Sequence, residues 1–325
     1  MKNTNISNNK KTILVTGGAG FIGSALAQRL YTEGNEVVVL DNFNEYYDPV
    51  LKRARQDALL QGIKVIEGDI TDIDFIEKVF SGHQFDVVCH FAAQAGVRYS
   101  VENPSAYVLT NVLGTQILLE AMQKHGVKQM VYASTSSAYG MDAQSPFQET
   151  EKADKPVSVY AATKRSGELL AHSYHTQYSM DVTCLRFFTV YGPWSRPDMA
   201  MLKFAQKMTA GEAIEIYNNG DLQRDFTYID DIVEGFALAI NTPLGFEVLN
   251  IGNGAPVELM DFVVLLEKEL GVVAKKNMLP MQQGDVFHTY ADTSRAKEML
   301  GFEAKINFEE GVQRFVEWYK EYYKA

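Results

Sequence analysis

Tyr160 and Lys164 stand four residues apart in Tyr160-Ala161-Ala162-Thr163-Lys164. On a helix that spacing puts both side chains on one face, within reach of one bound molecule. A lysine ammonium favours the ionised form of a nearby phenol, whose free pKa is about 10. A phenolate available near neutral pH is a general base for a sugar or alcohol hydroxyl. By itself the pair is equally the pattern of a surface helix. Its weight comes from a glycine-rich segment far upstream.

Thr12 to Thr16 reads as a short buried strand, and Gly17-Gly18-Ala19-Gly20-Phe21-Ile22-Gly23 follows at once. Gly18, Gly20 and Gly23 spell G-x-G-x-x-G, while Gly17, Gly20 and Gly23 spell G-x-x-G-x-x-G. Such glycines permit a tight turn, let the backbone approach a pyrophosphate, and pack helix against strand. The pyrophosphate then meets free N–H groups at the start of the helix that Ser24 to Leu30 continues, around Phe21 and Ile22. Val37 to Leu40 is the next strand, ending at Asp41, eighteen residues after Gly23. A carboxylate there can bind both adenosine ribose hydroxyls and repels a 2′-phosphate. The following Asn42 offers no cation, so the pattern favours NAD over NADP.

The elements that must position these groups alternate. Strands are expected at 64–67, 85–91, 128–133 and 182–188, and helices at 72–80, 106–125 and 158–178. This alternation predicts an α/β fold with a doubly wound parallel sheet, whose ligands bind at the carboxyl ends of the strands. Beyond residue 190 the pattern changes. Helices are expected at 199–210, 258–270 and 308–323, and short strands at 213–217, 248–251 and 285–291. Residues 12–190 thus read as a Rossmann domain, and 191–325 as a smaller, interleaved α/β substrate-binding lobe with some segments returning to the large sheet. Met1 to Lys11, polar and Asn-rich, reads as a disordered tail without the apolar core of a secretory signal.

Composition excludes several function classes. No apolar run approaches the ~20 residues of a membrane span. A net charge of −11 argues against nonspecific nucleic-acid binding. Cys89 and Cys184 lie in apolar runs and read as buried free thiols of a cytoplasmic protein. The six histidines form no metal-ligand pattern with them, so no metal is expected.

The Gly17–Gly23 fingerprint, the segment Ser134-Thr135-Ser136-Ser137-Ala138-Tyr139-Gly140 and the Tyr160–Lys164 pair together resemble the extended short-chain dehydrogenase/reductases that act on nucleotide sugars. Within them the chain is most similar to the UDP-glucuronate 4-epimerases. The supporting segments are 41–48, 92–100, 186–199 and Arg224-Asp225-Phe226-Thr227-Tyr228-Ile229-Asp230-Asp231. The resemblance implies that Tyr160 takes the proton from the sugar 4-hydroxyl as hydride leaves C4 for NAD. A transient 4-keto sugar then turns over and receives hydride on its other face. It gives Thr135 a hydrogen bond to that oxygen and Lys164 the nicotinamide ribose. Asp69 and Ile70 would lie beside adenine, and Phe91, Ala92 and Ala93 along the cofactor.

On the substrate side, related dehydratases carry an Asp-Glu pair where this chain has Ser136 and Ser137, and related decarboxylases a glutamate at Ser137. Hydroxyls there disfavour dehydration and can bind a carboxylate. Thr189 replaces an asparagine of many neutral-sugar relatives. With Arg196, whose planar fork suits a carboxylate, it is a candidate contact to a C6 acid; Arg98 is a further candidate. The resemblance also gives Arg224 the UDP diphosphate, Tyr217 the uracil and Asp285 a ribose. A homodimer built on helices 106–125 and 158–178 is implied, with apolar Ile117, Leu118, Leu169 and Leu170 at the pairing face or in the core. The family further implies a supply of UDP-galacturonate to surface polysaccharides. Neutral UDP-hexose epimerisation, UDP-glucuronate decarboxylation and a non-catalytic NAD-binding scaffold remain as alternatives.

Overall fold

The strand β1 (Thr12–Thr16) is a continuous apolar run because both of its faces are covered. Successive side chains alternate between faces: Ile13 and Val15 enter one core and Leu14 the other. The same logic builds β2 (Glu36–Asp41), β4 (Val87–His90), β5 (Gln129–Thr135) and β6 (Asp181–Phe187), while β3 (Lys64–Glu67), at the sheet edge, is only half-buried. In this computed structural model, which describes residues 10–281 and 287–324, a seventh strand follows from much later in the chain. It is Phe246–Ile251, and it pairs in parallel with β6. The sheet runs in the order 3-2-1-4-5-6 and then this strand, all parallel, as the alternation predicted.

Helices cover the two faces: α1 (Phe21–Thr32), α2 (Pro49–Leu59), α3 (Ile73–Ser81), then short α4 (Tyr99–Glu102) and α5 (Pro104–Tyr107), α6 (Thr115–His125) and α7 (Val159–Tyr178). The continuous α-helix expected over 106–125 is not regular. Val108–Gly114 between α5 and α6 is π-helical. The wider turn rotates Asn111 inward, where it is 1% exposed. Ile117 and Leu118 belong to the core under the sheet rather than to a pairing face, and Leu170 packs against the same core. Leu169 is exposed, as are Val108, Leu109 and Leu113 on the π-helical turn.

The smaller lobe begins with β7 (Thr189–Tyr191) and α8 (Ala200–Thr209). Its strands β8 (Ala213–Ile216) and β9 (Gln223–Tyr228) precede α9 (Ile229–Asn241), which returns to pack on α1 before the seventh sheet strand, β10. β9 pairs with β7, with β11 (Pro256–Glu258) and with β13 (His288–Thr289). After β11, α10 (Leu259–Leu270) leads to β12 (Lys275–Met278), which pairs with β8; the chain ends in α11 (Ser294–Leu300) and α12 (Phe308–Tyr323). Asp225 fastens this lobe. Fully buried, it accepts from the backbone N–H of Asn253 (2.8 Å), Gly254 (2.9 Å) and Ala291 (3.1 Å). Asp231 does the same for Lys305 and Ile306. Residues 1–9 of the expected tail and Asp285 lie outside the described residues. Among the described residues no helix is long and apolar enough to cross a membrane.

Candidate active site

At the carboxyl ends of the sheet strands lies a cavity of about 910 Å³. Its floor begins at the glycine-rich turn. Gly17 has φ +68°, and a side chain there would meet the Ala92 nitrogen at 2.6 Å. A Cβ on Gly23 would lie 2.5 Å from the Gly17 carbonyl oxygen. The turn is therefore open to a ligand's backbone-close approach only as glycine. Gly20 precedes α1 without a side chain to cap it, leaving the N–H groups of the first turn directed at the cavity. Gly17, Gly20, Phe21, Ile22 and Gly23 all line it.

Asp41 and Asn42 line the next stretch. Asp41 accepts from the N–H of Ala19 (3.1 Å) and Phe43 (2.8 Å) and pairs with Lys52 Nζ (3.1 Å). Asn42 brings no cation, but α2 delivers Lys52 from eleven residues beyond Asp41, and Asp41 balances its charge. Gly68 and Ile70 line the cavity, whereas the Asp69 carboxylate accepts from Thr71 N (2.9 Å), Thr71 Oγ1 (2.7 Å) and Asn42 Nδ2 (2.7 Å). Asp69 therefore shapes the turn and orients Asn42. Phe91, Ala92 and Ala93 follow along the wall, with Ala92 N donating to Thr16 Oγ1 at 3.2 Å.

Thr135, at the end of β5, and Tyr160, in the first turn of α7, line the same part of the cavity. Ser158 caps α7 by accepting from Ala161 N (3.1 Å), which fixes where Tyr160 begins its turn. Burial raises the Tyr160 phenol above its ordinary value, while the Arg196 charge and the Thr135 hydrogen bond pull it down. Lys164 follows one turn later on the same helix. Its ammonium is 3% exposed and lies 4.2 Å from the Tyr132 ring centroid. Burial lowers Lys164 to about 7, against the raising effect of Glu168. Beside the cation expected from α7, Arg196 brings a positive charge to Tyr160 from the loop beyond β7.

A buried ion network locks the end of β5 against α7 through Ser134, the neighbour of Thr135. Glu168, fully buried on α7, accepts from Ser134 Oγ (2.5 Å), from Arg186 Nε (2.9 Å) and Nη2 (2.7 Å), and from Arg165 Nη1 (2.7 Å). Burial raises the Glu168 carboxyl, but Arg186, Ser134 and Arg165 together outweigh it and hold Glu168 below the usual range. Asn111, inward on the π-helical turn, accepts from Gln94 N (2.7 Å) and donates to Gln94 O (3.0 Å) and Thr163 Oγ1 (3.0 Å). It joins the loop after β4 to α7. Sequence reasoning passed over Asn111 because a polar residue on a regular helix faces solvent by default. A π-turn, which reverses that expectation, has no simple sequence signal.

On the far side Arg98, Ser137, Thr189, Arg196, Tyr217 and Arg224 line the same cavity. Ser137 N donates to Thr135 Oγ1 (3.2 Å), and Ser136 stands beside it in the short 3₁₀ turn. The Arg98 guanidinium lies 5.2 Å from the Tyr217 ring centroid. Arg224 Nη1 donates to the carbonyls of Gln223 (2.8 Å) and Phe287 (3.1 Å). Arg196 forms a two-point pair with Asp198, Nε to Oδ1 at 2.9 Å and Nη2 to Oδ2 at 2.6 Å. Among the described residues no group of three or more His, Cys, Asp or Glu could hold a metal.

A model of the NAD dependent epimerase/dehydratase family matches residues 13–252. The chain belongs to this family. UDP-glucuronate 4-epimerase 4 of Arabidopsis thaliana is 46% identical over 98% of this chain and 77% of its own length. Among solved structures, UDP-glucuronic acid 4-epimerase from Bacillus cereus, in complex with UDP-glucuronic acid and NAD, is 36% identical with a TM-score of 0.86. That match covers 96% of this chain and 100% of the other. UDP-glucose 4-epimerase from Thermotoga maritima, with UDP-glucose, is 35% identical with a TM-score of 0.89, covering 96% and 99%. The cofactor of this epimerase/dehydratase is NAD. The side-chain-free turn at Gly17 and Gly23, the uncapped start of α1 and the carboxylate of Asp41 fit a dinucleotide carrying an unmodified adenosine ribose.

Proposed function

We propose that this enzyme interconverts UDP-glucuronate and UDP-galacturonate by NAD-dependent epimerisation at C4. The observation that carries the reading is a guanidinium set for two-point carboxylate binding, Arg196, in the same cavity as the Thr135–Tyr160 pair. Bound along Gly17, Gly20–Gly23, Asp41 and Phe91–Ala93, NAD supplies a hydride acceptor that returns the hydride within one turnover. Tyr160 Oη takes the proton of the C4 hydroxyl and gives it back. Thr135 Oγ1 holds that oxygen in line. Arg196, with Thr189 and the Ser137 hydroxyl, holds the C6 carboxylate, and Arg224 the diphosphate. Ser136 and Ser137 offer no carboxylate to drive elimination.

Epimerisation of neutral UDP-hexoses is the second reading, favoured by the Asp198 carboxylate that already sits on Arg196. Proton NMR of the purified protein with UDP-glucuronate and no added cofactor separates the cases. The expected product is UDP-galacturonate. A pentose product would mean decarboxylation, and turnover of UDP-glucose alone would favour the second reading.

The exposed Val108, Leu109, Leu113 and Leu169 support a homodimer through α7 and the π-helical turn. Light scattering that finds a fully active monomer at micromolar concentration would sink that assembly. Two buried free thiols, Cys89 and Cys184, support a cytoplasmic location.

A further inference from the structure

Arg196 faces the cavity with its fork already filled by a carboxylate of the protein itself. Asp198 meets it at two points, 2.9 and 2.6 Å, which is how a guanidinium grips any carboxylate. Tyr46 OH donates to Asp198 Oδ2 at 3.1 Å, giving that carboxylate a second holder. Both residues of the pair line the cavity, and the Asp198 side chain keeps 35% of its surface exposed.

The base of the loop that carries the pair is fixed. The buried Arg55 donates to the carbonyls of Trp194 and Ser195, and Trp194 is held at φ +64°. Beyond that clamp, Met199 N closes a turn onto the Arg196 carbonyl at 3.1 Å. A movement of the Asp198 side chain alone, toward solvent, uncovers the fork without moving the loop.

Two carboxylates cannot share one guanidinium face without repelling each other. We infer that Asp198 is an exchangeable internal carboxylate, which occupies Arg196 until the C6 carboxylate of a uronate displaces it. This rests on the uronate reading above and adds a specificity determinant to it. A neutral sugar has nothing to exchange and leaves the pair closed. A uronate replaces one carboxylate by another, so the charge beside Tyr160 stays balanced whichever acid is bound. Arg196 lowers the Tyr160 phenol and Asp198 raises it, so the exchange also moves the opposing negative charge from protein to substrate.

The test is calorimetric titration of the NAD-loaded protein with UDP-glucuronate and with UDP-glucose, for wild type, Asp198→Asn and Tyr46→Phe. An amide cannot compete for the guanidinium with full charge. Asp198→Asn should therefore tighten UDP-glucuronate by about tenfold, the scale of one charge-assisted hydrogen bond, and leave UDP-glucose within about twofold. Tyr46→Phe, which loosens the hold on Asp198, should move UDP-glucuronate the same way by about two- to threefold. Tightening is a direction that loss of loop structure does not produce. Weakening of both sugars by Asp198→Asn would mean that Asp198 only orders the loop, and would overturn the exchange. Weakening of UDP-glucuronate alone would overturn it too, making Asp198 the orienting partner of Arg196. Wild-type protein that binds UDP-glucose but not UDP-glucuronate overturns the uronate reading itself, a failure visible before any variant is measured.

Discussion

Arg55 donates to the Trp194 carbonyl through both Nε (3.0 Å) and Nη2 (2.8 Å), across 139 residues of sequence. The same fully buried guanidinium reaches the Ala19 carbonyl in the glycine-rich turn (3.3 Å) and Tyr47 OH (2.6 Å). One side chain of α2 therefore ties the cofactor turn to the loop that carries Arg196 and Asp198. Buried carbonyls stripped of their donor lose more than the net value of the bonds.

Arg55→Met should accordingly cost about 3 kcal/mol of stability. It should also release NAD more readily during purification, because the turn and the loop lose their common anchor. The urea midpoint and the NAD content of the purified variant check this. An unchanged midpoint would remove Arg55 from the argument.

Tyr160→Phe should leave the fold and bound NAD largely intact and slow epimerisation by at least ~10²-fold, the usual loss on removing a general acid–base group. Thr135 keeps its place through its contact with Ser137 N, so the defect should lie in kcat rather than KM. Turnover near the wild-type rate would sink the role given to Tyr160.

Acid should destabilise the protein through His90. Its Nδ1 lies 2.7 Å from Thr16 Oγ1 and its Nε2 3.0 Å from Thr115 Oγ1. The Thr115 hydroxyl donates to the Asn111 carbonyl (2.7 Å), so Nε2 is the donor to Thr115 and Nδ1 accepts from Thr16. Burial, then the Lys164 charge, lowers His90 from 6.5 to about 3. The unfolded chain thus binds this proton first. The contribution is fully present above pH 6.5 and is lost as the pH falls toward 3, with a slope of at most about 1.4 kcal/mol per pH unit. In His90→Gln that part of the slope should vanish. Parallel stability curves for the two proteins between pH 6.5 and 4 would refute the assignment.

The parallel sheet was legible in the chain because its strands are apolar runs closed by glycine and aspartate, as at Thr12–Gly17 and Glu36–Asp41. The glycine turn, Asp41, Thr135 and Tyr160 were legible for the same reason: each follows directly on such a strand or opens a helix. What was not legible depends on contacts distant in sequence. α2 hides its role because its buried face includes Lys52 and Arg55, two cations that pattern reading assigns to solvent. Asn111 hides behind a π-turn. The charge of Arg196 on Tyr160 could not be read from any local spacing. Arg196 lies far along the chain and shares a cavity with Tyr160 only once the chain is folded, while the Lys164 ammonium packs on the Tyr132 ring.

The sharpest remaining prediction concerns Arg196 itself. If it holds the C6 carboxylate, Arg196→Ala should weaken UDP-glucuronate binding by roughly ten- to a hundred-fold, the ~1.5–3 kcal/mol of a charge-assisted hydrogen bond, and UDP-glucose binding far less. The free 4-keto acid should also be able to rotate until its carboxylate bond aligns with the carbonyl, so more carbon dioxide should be released per epimerisation. The pair with Asp198 sharpens the comparison, because removing Arg196 also unbalances that carboxylate beside the substrate. Asp198→Asn added to Arg196→Ala should relieve the repulsion and recover part of the lost UDP-glucuronate affinity, while UDP-glucose stays level. The double-mutant cycle on the two dissociation constants decides it. An equal loss for both sugars in Arg196→Ala, with no recovery in the double variant, would reduce Arg196 to a strut of its own loop.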